Sequence, residues 1–215
     1  GVEKIKIAAS NTGNLQWSID KKLNGDAQLI ERVAGRTFRL SPGSFWQSHK
    51  AAPELLTGCV KEFADLLGFD SEKQNLDLYS GVGLFSATLS NSYPGAKFLA
   101  VESAKQAIED GERSTQDLPN LKFHRADVLK FLRSQSAGSF DTIVLDPPRS
   151  GAANKVVEQL IRLQPRNLIY VACDPVALAR DLKTLGEAGY NLKAIKAFDI
   201  FPHTHHFETV VALSR

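Results

Sequence analysis

The fold predicted for this chain depends on the stretch from Asp77 to Ser86, which reads Asp-Leu-Tyr-Ser-Gly-Val-Gly-Leu-Phe-Ser. Its apolar residues enter as a strand and leave at helical spacing. Gly81 and Gly83 have no Cβ, so the backbone can turn sharply there and a ligand can lie close against it. The N-terminus of the following helix offers free N–H groups. The stretch predicts a nucleotide-binding turn, and an ordinary strand-to-helix turn is the alternative.

An acidic residue follows the next predicted strand. Residues 97–101 form this strand, and Glu102 stands at its tip, 19 residues after Gly83. An acid at this position accepts hydrogen bonds from the ribose hydroxyls of a nucleoside; otherwise it caps the helix that begins at Ser103. A hydride cofactor usually requires a third glycine, where this chain has Ser86. S-adenosylmethionine has no phosphate and needs only the close approach and the acid, so the pattern favours this cofactor.

Length and composition are typical of a globular α/β protein. The chain has 215 residues, of which 43% are hydrophobic and 23% are charged. No apolar run approaches the ~20 residues that span a bilayer, and no signal-peptide pattern is visible. Two distant cysteines form neither a disulfide framework nor a four-cysteine metal site. We expect a cytoplasmic protein with no membrane partner, and the net charge of +2 does not oppose a nucleic-acid partner.

The first part of the chain has the pattern of short strands. Residues 2–40 alternate apolar and polar in bursts, which the turn signals at 11–14 and 24–26 interrupt. A loop with two aromatic residues, Phe45 and Trp46, follows this part. The aromatic side chains suit a stacking platform, and anchoring of the hairpin to the core is the alternative. We predict a small antiparallel β unit with its connecting loop over residues 1–50.

The remainder of the chain alternates helices and strands. Residues 51–67 predict an amphipathic helix, with Leu55, Cys59 and Leu66 on its apolar face. Alternation from residue 75 onward predicts a Rossmann-like α/β domain over 51–215, with a mostly parallel seven-stranded sheet covered on both faces. The predicted strands are 75–79, 97–101, 121–124, 140–145, 167–172, 191–198 and 207–213.

Polar residues stand where the predicted parallel strands end, and ligands bind at that edge of such sheets. Asp127 follows the third strand and either caps the next helix or accepts a hydrogen bond from an adenine amine. Asp146 follows the fourth strand and precedes two prolines, which make the backbone rigid where a substrate would meet a cofactor. Arg149 adds a planar donor group beside it.

Cys173 follows the fifth strand, immediately before the sequence Asp-Pro that suits the start of a helix. The helix dipole favours a thiolate at this position, which indicates a nucleophile. Glu208 begins the last strand after a turn with His203, His205 and His206. These histidines lack the spacing of a zinc motif, so we expect no metal and a tuning of Glu208 instead.

The motifs Asp-Leu-Tyr-Ser-Gly-Val-Gly, Asp-Pro-Pro-Arg, Ala-Cys-Asp-Pro and Phe-Pro-His-Thr-His-His-Phe-Glu occur in this order. Together with Phe45-Trp46-Gln47, this series resembles the S-adenosylmethionine-dependent RNA 5-methyluridine methyltransferases, from about Ser41 to the end. The resemblance implies a methyltransferase fold, an rRNA or tRNA substrate and the catalytic part of a longer protein. It implies cofactor binding by Gln47, Tyr79, Glu102, Asp127 and Asp146. The chain departs from the family at Leu84 and His49, where asparagine is usual.

The resemblance also implies that Cys173 is the nucleophile and Glu208 the base. Addition of a thiolate to C6 of uracil makes C5 electron-rich, and a base must remove the C5 proton before the thiolate can leave. The target base must be unstacked into the site, where we expect Phe45 or Trp46 to stack on it and Arg149 to contact phosphate. Two alternatives are an amino-group methyltransferase, which has an aromatic residue where this chain has Arg149, and a non-catalytic RNA-binding fragment.

Overall fold

The computed structural model describes residues 4–20, 22–70, 72–204 and 207–215. An amino-terminal part consists of strands and a first helix. The elements are β1 (Ile5–Ala9), β2 (Leu15–Ile19), β3 (Lys22–Gly25), β4 (Leu29–Val33), β5 (Arg36–Leu40) and α1 (Ala52–Leu67). The rest alternates: β6 (Gln74–Leu78), α2 (Leu84–Ser92), β7 (Lys97–Glu102), α3 (Lys105–Ser114), β8 (Leu121–Arg125), α4 (Val128–Arg133), β9 (Phe140–Leu145), α5 (Asn154–Leu163), β10 (Asn167–Ala172), α6 (Pro175–Glu187), β11 (Asn191–Phe198) and β12 (Glu208–Ser214).

The main sheet has seven strands in the order β11-β12-β10-β9-β6-β7-β8. The five strands from β10 to β8 pair in parallel, whereas β12 runs antiparallel to both of its neighbours. The predicted mostly parallel seven-stranded sheet is therefore confirmed. The chain order reverses between β6 and β9, and at such a switch point a crevice opens outside the carboxyl ends of the strands.

The register brings the ends of the central strands to one level. Leu78 of β6 pairs with Val101 of β7 and with Leu145 of β9. The next residue on each strand is therefore at the same edge of the sheet, and these residues are Tyr79, Glu102 and Asp146.

Helices cover both faces of the sheet, and the side chains of each strand alternate between them. Leu76, Ile143 and Tyr170 belong to the apolar cluster that also holds residues of α4, α5 and α6. Val144 and Ile169 belong to the cluster on the other face, with residues of α1 and α2 and the β4–β5 hairpin. Burial on both faces explains why these strands are continuous apolar runs.

The amino-terminal part forms two separate β units. Strands β1–β3 form an antiparallel sheet, and β4 and β5 form a hairpin. Phe38 and Leu40 of the hairpin are buried in the core of the main sheet. A small antiparallel unit before the main sheet is thus confirmed, whereas the division into domains at residue 50 stays a prediction. Residues 1–3 and 21 of the predicted unit lie outside the described residues.

Two details of the sequence prediction are wrong. The turn signal at 24–26 does not close a hairpin, since Gly25 is itself paired in β3 with Gln16 of β2. On α1, Cys59 is buried as predicted, but Leu55 and Leu66 are 41% and 59% exposed. The face of α1 that packs against the main sheet is therefore narrower than the face formed by all of its apolar residues.

Candidate active site

A cavity of about 640 Å³ opens at the carboxyl edge of the sheet. Its walls are the segment 42–48, the start of α3 and the ends of strands β6, β7, β9 and β10. Most of the predicted site residues line it: Phe45, Gln47, Tyr79, Gly81, Glu102, Asp146, Arg149, Cys173 and Glu208. Gly83 and Asp127 are not among the lining residues. The cavity therefore brings together residues from six separate segments of the chain.

The glycine turn forms the floor of the cavity at Gly81. Its φ is +54°, and a Cβ placed there would meet open space. Its N–H donates to Oε2 of Glu102 at 3.1 Å, while Oε1 accepts from the N–H groups of Ser103 and Ala104 at 2.7 and 2.8 Å. Glu102 thus holds the loop before α3 and also lines the cavity. The predicted capping of a helix from Ser103 is wrong, because α3 begins at Lys105 and has no side-chain cap, and binding of ribose hydroxyls stays a prediction. The Glu102 carboxylate is held rigidly at the wall.

The two predicted residues outside the cavity each have a structural reason. Gly83 has a φ of +77°, and a Cβ there would lie 2.7 Å from the ring of Phe123, so glycine is required for packing. Asp127 is the N-cap of α4 and accepts from the N–H of Lys130 at 2.9 Å. The capping interpretation of Asp127 is confirmed. Contact of either residue with a cofactor stays a prediction.

The loop between β5 and α1 separates its two aromatic residues. Trp46 packs against Phe38 of the hairpin, with ring centroids 5.3 Å apart. Phe45 is 67% exposed at the cavity. Anchoring therefore applies to Trp46, and the stacking interpretation remains open for Phe45. Between these elements, Nε2 of Gln47 donates to Oδ2 of Asp146 at 3.2 Å and ties the loop to the end of β9.

Asp146 and Glu208 line the cavity together with Arg149, and the buried Asp77 lies close enough to Asp146 to affect its pKa. Burial, with the charges of Glu208 and Asp77 beside it, raises the pKa of Asp146 to about 8. Burial also raises the pKa of Asp77 to about 7, although its Oδ2 accepts from the N–H of Ser86 at 2.9 Å. Burial raises the pKa of Glu208, and Arg149 acts in the opposite direction. Groups perturbed in this way are typical of functional sites and suit a cationic ligand.

Cys173 and Glu208 are brought together by strand pairing. Ala172 of β10 pairs with Thr209 of β12, so the adjacent positions 173 and 208 lie across from each other at the strand ends. The expectation of a lowered thiol pKa at Cys173 is wrong for the protein alone. Burial raises this pKa first, and the charges of Glu208 and Asp146 add to the effect, while Arg149 opposes it. One helix dipole does not outweigh burial beside two acids.

Two buried aspartates that no sequence motif indicates hold the loops around the cavity. Asp181 of α6 accepts from the N–H of Ala152 at 2.9 Å and from the hydroxyl of Tyr170 at 2.8 Å, which fixes the segment after Arg149. Asp110 of α3 holds the loop that carries Phe45. Both acids lie among the buried residues of their helices. An acid within an apolar helical stripe is the signal that could have identified them.

The described residues contain no group of three or more His, Cys, Asp or Glu side chains arranged for a metal ion. His203 is exposed, and His205 and His206 lie outside the described residues. Their tuning of Glu208 and the absence of a metal stay predictions. Of the helices in the described parts of the chain, none combines the length and the apolar character needed to cross a membrane.

The strand order and the cavity at the carboxyl edge define a Rossmann-like methyltransferase fold. The structure of M. jannaschii TYW2 in complex with AdoMet shares this fold, with a TM-score of 0.59 and 15% identity, covering 99% of this chain and 100% of that one. More specifically, the sequence model of the tRNA (uracil-5-)-methyltransferase family matches residues 23–215. The chain belongs to this family.

Two further similarities agree with the family. An uncharacterized RNA methyltransferase of Streptomyces avermitilis is 42% identical over 194 residues, which cover 89% of this chain and 44% of that protein. The crystal structure of the Pyrococcus abyssi tRNA (uracil-54, C5)-methyltransferase in complex with S-adenosyl-L-homocysteine has a TM-score of 0.73 and 32% identity, covering 91% of this chain and 46% of that one. The chain spans about half the length of the curated relatives it matches.

Proposed function

We propose that this protein methylates C5 of a uridine in rRNA or tRNA, with S-adenosylmethionine as methyl donor and a transient covalent bond between Cys173 and C6 of the base. The observation that carries the proposal is the position of Cys173 and Glu208. They lie opposite each other at the ends of β10 and β12 and line the same cavity as the predicted cofactor residues. C5 methylation of uracil requires a nucleophile that adds to C6 and a base that removes the proton from C5. This cavity wall carries a candidate for each role.

The residues of the cavity fit S-adenosylmethionine, whose sulfonium and ammonium groups are positive. Oδ1 of Asp77 has no hydrogen-bond partner among the described residues, and burial raises the pKa values of Asp77 and Asp146, which a cationic ligand beside them would lower. Gly81 leaves open space for a ligand against the backbone, and Glu102 offers a fixed carboxylate. When bound, this cofactor supplies an electrophilic methyl group. Gln47, Tyr79, Gly81, Glu102 and Asp146 are the residues that would hold it.

Cys173 must lose its thiol proton to act as a nucleophile, and the charged groups around it indicate what would favour this ionisation. Arg149 already lowers the thiol pKa, whereas Asp146 and Glu208 raise it. A cation bound beside Asp146 would offset the negative charge that opposes the thiolate. A bound cation there would therefore favour loss of the Cys173 thiol proton to solvent. Sγ of the Cys173 thiolate adds to C6 of uracil, and the electron pair of the C5–C6 double bond moves to C5 and the O4 enolate.

Glu208 suits the final proton transfer. Once C5 carries the methyl group, its remaining proton must leave so that the C5–C6 double bond can re-form and the thiolate can depart. Glu208 is 5% exposed, and its pKa is raised, so it is a stronger base than a solvated carboxylate. Its position opposite Cys173 places a proton acceptor beside the adduct.

The exposed part of the cavity suits RNA. Phe45 presents a ring at the opening, where an unstacked uridine finds a stacking partner. Arg149 is exposed on the rigid Pro147-Pro148 segment, where a guanidinium meets a phosphate or the enolate oxygen.

A covalent trap tests this function. RNA that contains 5-fluorouridine is incubated with S-adenosylmethionine and the wild type, Cys173→Ala or Cys59→Ala. Fluorine cannot leave C5 as a proton, so the wild type is expected to form an adduct stable in denaturant. Cys59 is a buried cysteine of α1 and serves as the matched control. The adduct should persist in Cys59→Ala and vanish in Cys173→Ala, and methylation of natural RNA by Cys173→Ala should fall by at least about 10³-fold.

The same experiment separates the alternatives. Methylation of RNA amino groups without any adduct would favour an amino-group methyltransferase. RNA binding without methylation and without an adduct would favour a non-catalytic fragment. Sequencing of the trapped RNA would identify the uridine and assign it to rRNA or tRNA.

A further inference from the structure

A buried carboxylate outside the cavity holds the loop that forms one of its walls. Asp110 of α3 is fully buried. Its Oδ2 accepts from the N–H of Ser41 at 2.7 Å and from the hydroxyl of Ser44 at 2.6 Å, and its Oδ1 accepts from the hydroxyl of Ser41 at 2.6 Å. One carboxylate therefore binds two residues, Ser41 and Ser44, of the segment that follows β5.

Two further side chains of α3 complete this anchor. Nε2 of Gln106 donates to Oδ1 of Asp110 at 3.3 Å and to the hydroxyl oxygen of Ser41 at 3.0 Å, and Nη2 of Arg113 donates to Oδ1 at 3.1 Å. Burial by itself would raise the pKa of Asp110, but the hydrogen bonds outweigh it and the pKa is lowered. Asp110 is therefore charged at neutral pH, and its hydrogen bonds are of the strong, charge-assisted kind.

The loop carries the residues that meet the proposed ligands. Residues 42–45, 47 and 48 line the cavity. At its far end Gln47 donates to Asp146, and near its middle Trp46 packs on Phe38. Residues 41–44 form a turn, in which the N–H of Ser44 donates to the carbonyl of Ser41 at 3.1 Å and Gly43 has a φ of +84°. The bonds to Asp110 hold this turn on α3. Without Asp110, the position of the loop depends on Trp46, Gln47 and the bond from Gln106 to Ser41.

We propose that Asp110 is a positioning residue, which sets the affinity of the cavity for its cofactor by holding the loop of residues 41–48 in place. It does so without lining the cavity. A loop fixed before binding need not lose conformational entropy when the ligand arrives, so the ligand binds more tightly. This inference rests on the proposed function, because it takes an S-adenosyl compound as the ligand.

The test compares Asp110→Asn with Asp141→Asn. Asp141 is also a buried aspartate with a lowered pKa, but it lies near the amino end of β9 and binds Arg166. Binding of S-adenosylhomocysteine is measured by calorimetry at a temperature where both variants are folded. Asp110→Asn should bind about tenfold more weakly than the wild type, and Asp141→Asn within about twofold of it.

A second readout follows the loop without any ligand. In a Trp17→Phe background, Trp46 is the remaining tryptophan of the chain. Asp110→Asn should shift its emission to the red and make it more accessible to acrylamide, with unchanged far-ultraviolet circular dichroism. Asp141→Asn should leave Trp46 as it is in the wild type, because its contacts lie at the opposite end of the sheet.

The outcomes are distinct. Equal affinity and equal Trp46 quenching in wild type and Asp110→Asn would overturn the inference, as would an equal loss of affinity in Asp141→Asn. If Asp110→Asn does not fold, Ser41→Ala removes one hydrogen bond to the same carboxylate at a residue that does not line the cavity, and about threefold weaker binding is expected, with no change counting against the inference. A wild type that binds no S-adenosylhomocysteine would instead contradict the proposed function, while the Trp46 readout still decides whether Asp110 positions the loop.

Discussion

The two ends of strand β9 carry aspartates in opposite electrostatic states. Near the amino end, Asp141 accepts two hydrogen bonds from Arg166, at 2.7 and 2.9 Å, and one from the N–H of Asp70 at 3.0 Å. These bonds outweigh burial and lower the pKa of Asp141. Just beyond the carboxyl end, Asp146 accepts from Gln47 at 3.2 Å, and its pKa is raised to about 8. Asp141 and Asp146 are five positions apart in sequence, yet the first accepts several hydrogen bonds and the second accepts one from Gln47.

The contrast between Asp141 and Asp146 distinguishes a carboxylate that stabilises the fold from one that faces the cavity. Asp141 links β9 to the residues before β6 and to β10, and its charge is neutralised inside the protein. Asp146 faces the cavity together with Glu208, and the protein supplies little positive charge for them. A carboxylate with one weak neutral donor and no adjacent cation of its own lowers stability, so its presence at a cavity indicates a ligand that brings positive charge. Variants of cavity residues and of residues that only stabilise the fold test this distinction.

The largest effect is expected from Glu208→Gln. In the proposed reaction Glu208 removes the C5 proton, so turnover of Glu208→Gln should fall by about 10²- to 10⁴-fold. The adduct with natural uridine RNA should accumulate, because Cys173 cannot leave. Methylation assays and denaturing gels measure the two quantities.

Glu31→Gln is the matched control for that experiment. Glu31 is 5% exposed, and burial raises its pKa too, but it lies in β4. It should keep wild-type turnover. Full activity of Glu208→Gln, or an equal loss in Glu31→Gln, would contradict the separate role of the cavity acids.

The next effect concerns stability and pH. The pKa of Asp77 is raised to about 7 in the folded protein, so its contribution to stability is present at low pH and is lost as the pH rises through about 7. The pKa of Asp141 is lowered, so its contribution is lost as the pH falls below the ordinary range of an aspartate. One group changes the unfolding free energy by up to about 1.4 kcal/mol per pH unit between its two pKa values.

Urea unfolding from pH 3 to pH 8 measures these slopes. Asp77→Asn should flatten the loss of stability between about pH 5 and 7, and Asp141→Asn should flatten the loss on the acid side. The two variants should therefore differ in opposite pH ranges. If both variants kept the pH dependence of the wild-type unfolding free energy, the pKa shifts of Asp77 and Asp141 would be contradicted.

The smallest effect distinguishes the two glycines of the turn. Gly83→Ala should cost about 1–3 kcal/mol of stability, because the new Cβ meets the ring of Phe123 at 2.7 Å and the φ is positive. Gly81→Ala meets open space, so it should cost roughly 1–2 kcal/mol, from the φ alone. Gly81→Ala should weaken binding of S-adenosylhomocysteine, since Gly81 lines the cavity. Thermal unfolding measures the loss of stability, and calorimetry measures the loss of binding. A larger loss of stability in Gly81→Ala together with weaker binding in Gly83→Ala would contradict the prediction.

The sequence by itself determined the sheet and the position of the site. Alternating periodicity predicted the parallel strands, because burial on both faces requires continuous apolar runs. Tyr79, Glu102 and Asp146 were found from the rule that ligands bind at strand ends, and the register brings them to one level. Cys173 was found as a residue between a strand and a helix start. These features depend on neighbours along the chain, and local patterns predict them.

Only the tertiary structure decided which partners each polar group has. Phe45 and Trp46 are adjacent in sequence, yet one is exposed and the other packs on Phe38. The anchor of Ser41 on Asp110 joins residues 69 positions apart, and no local pattern pairs them. The direction of the pKa shift at Cys173 depends on Glu208 and Asp146, which come from other strands. Burial and electrostatics act through space, so charge states at this cavity follow from the fold and not from the order of residues.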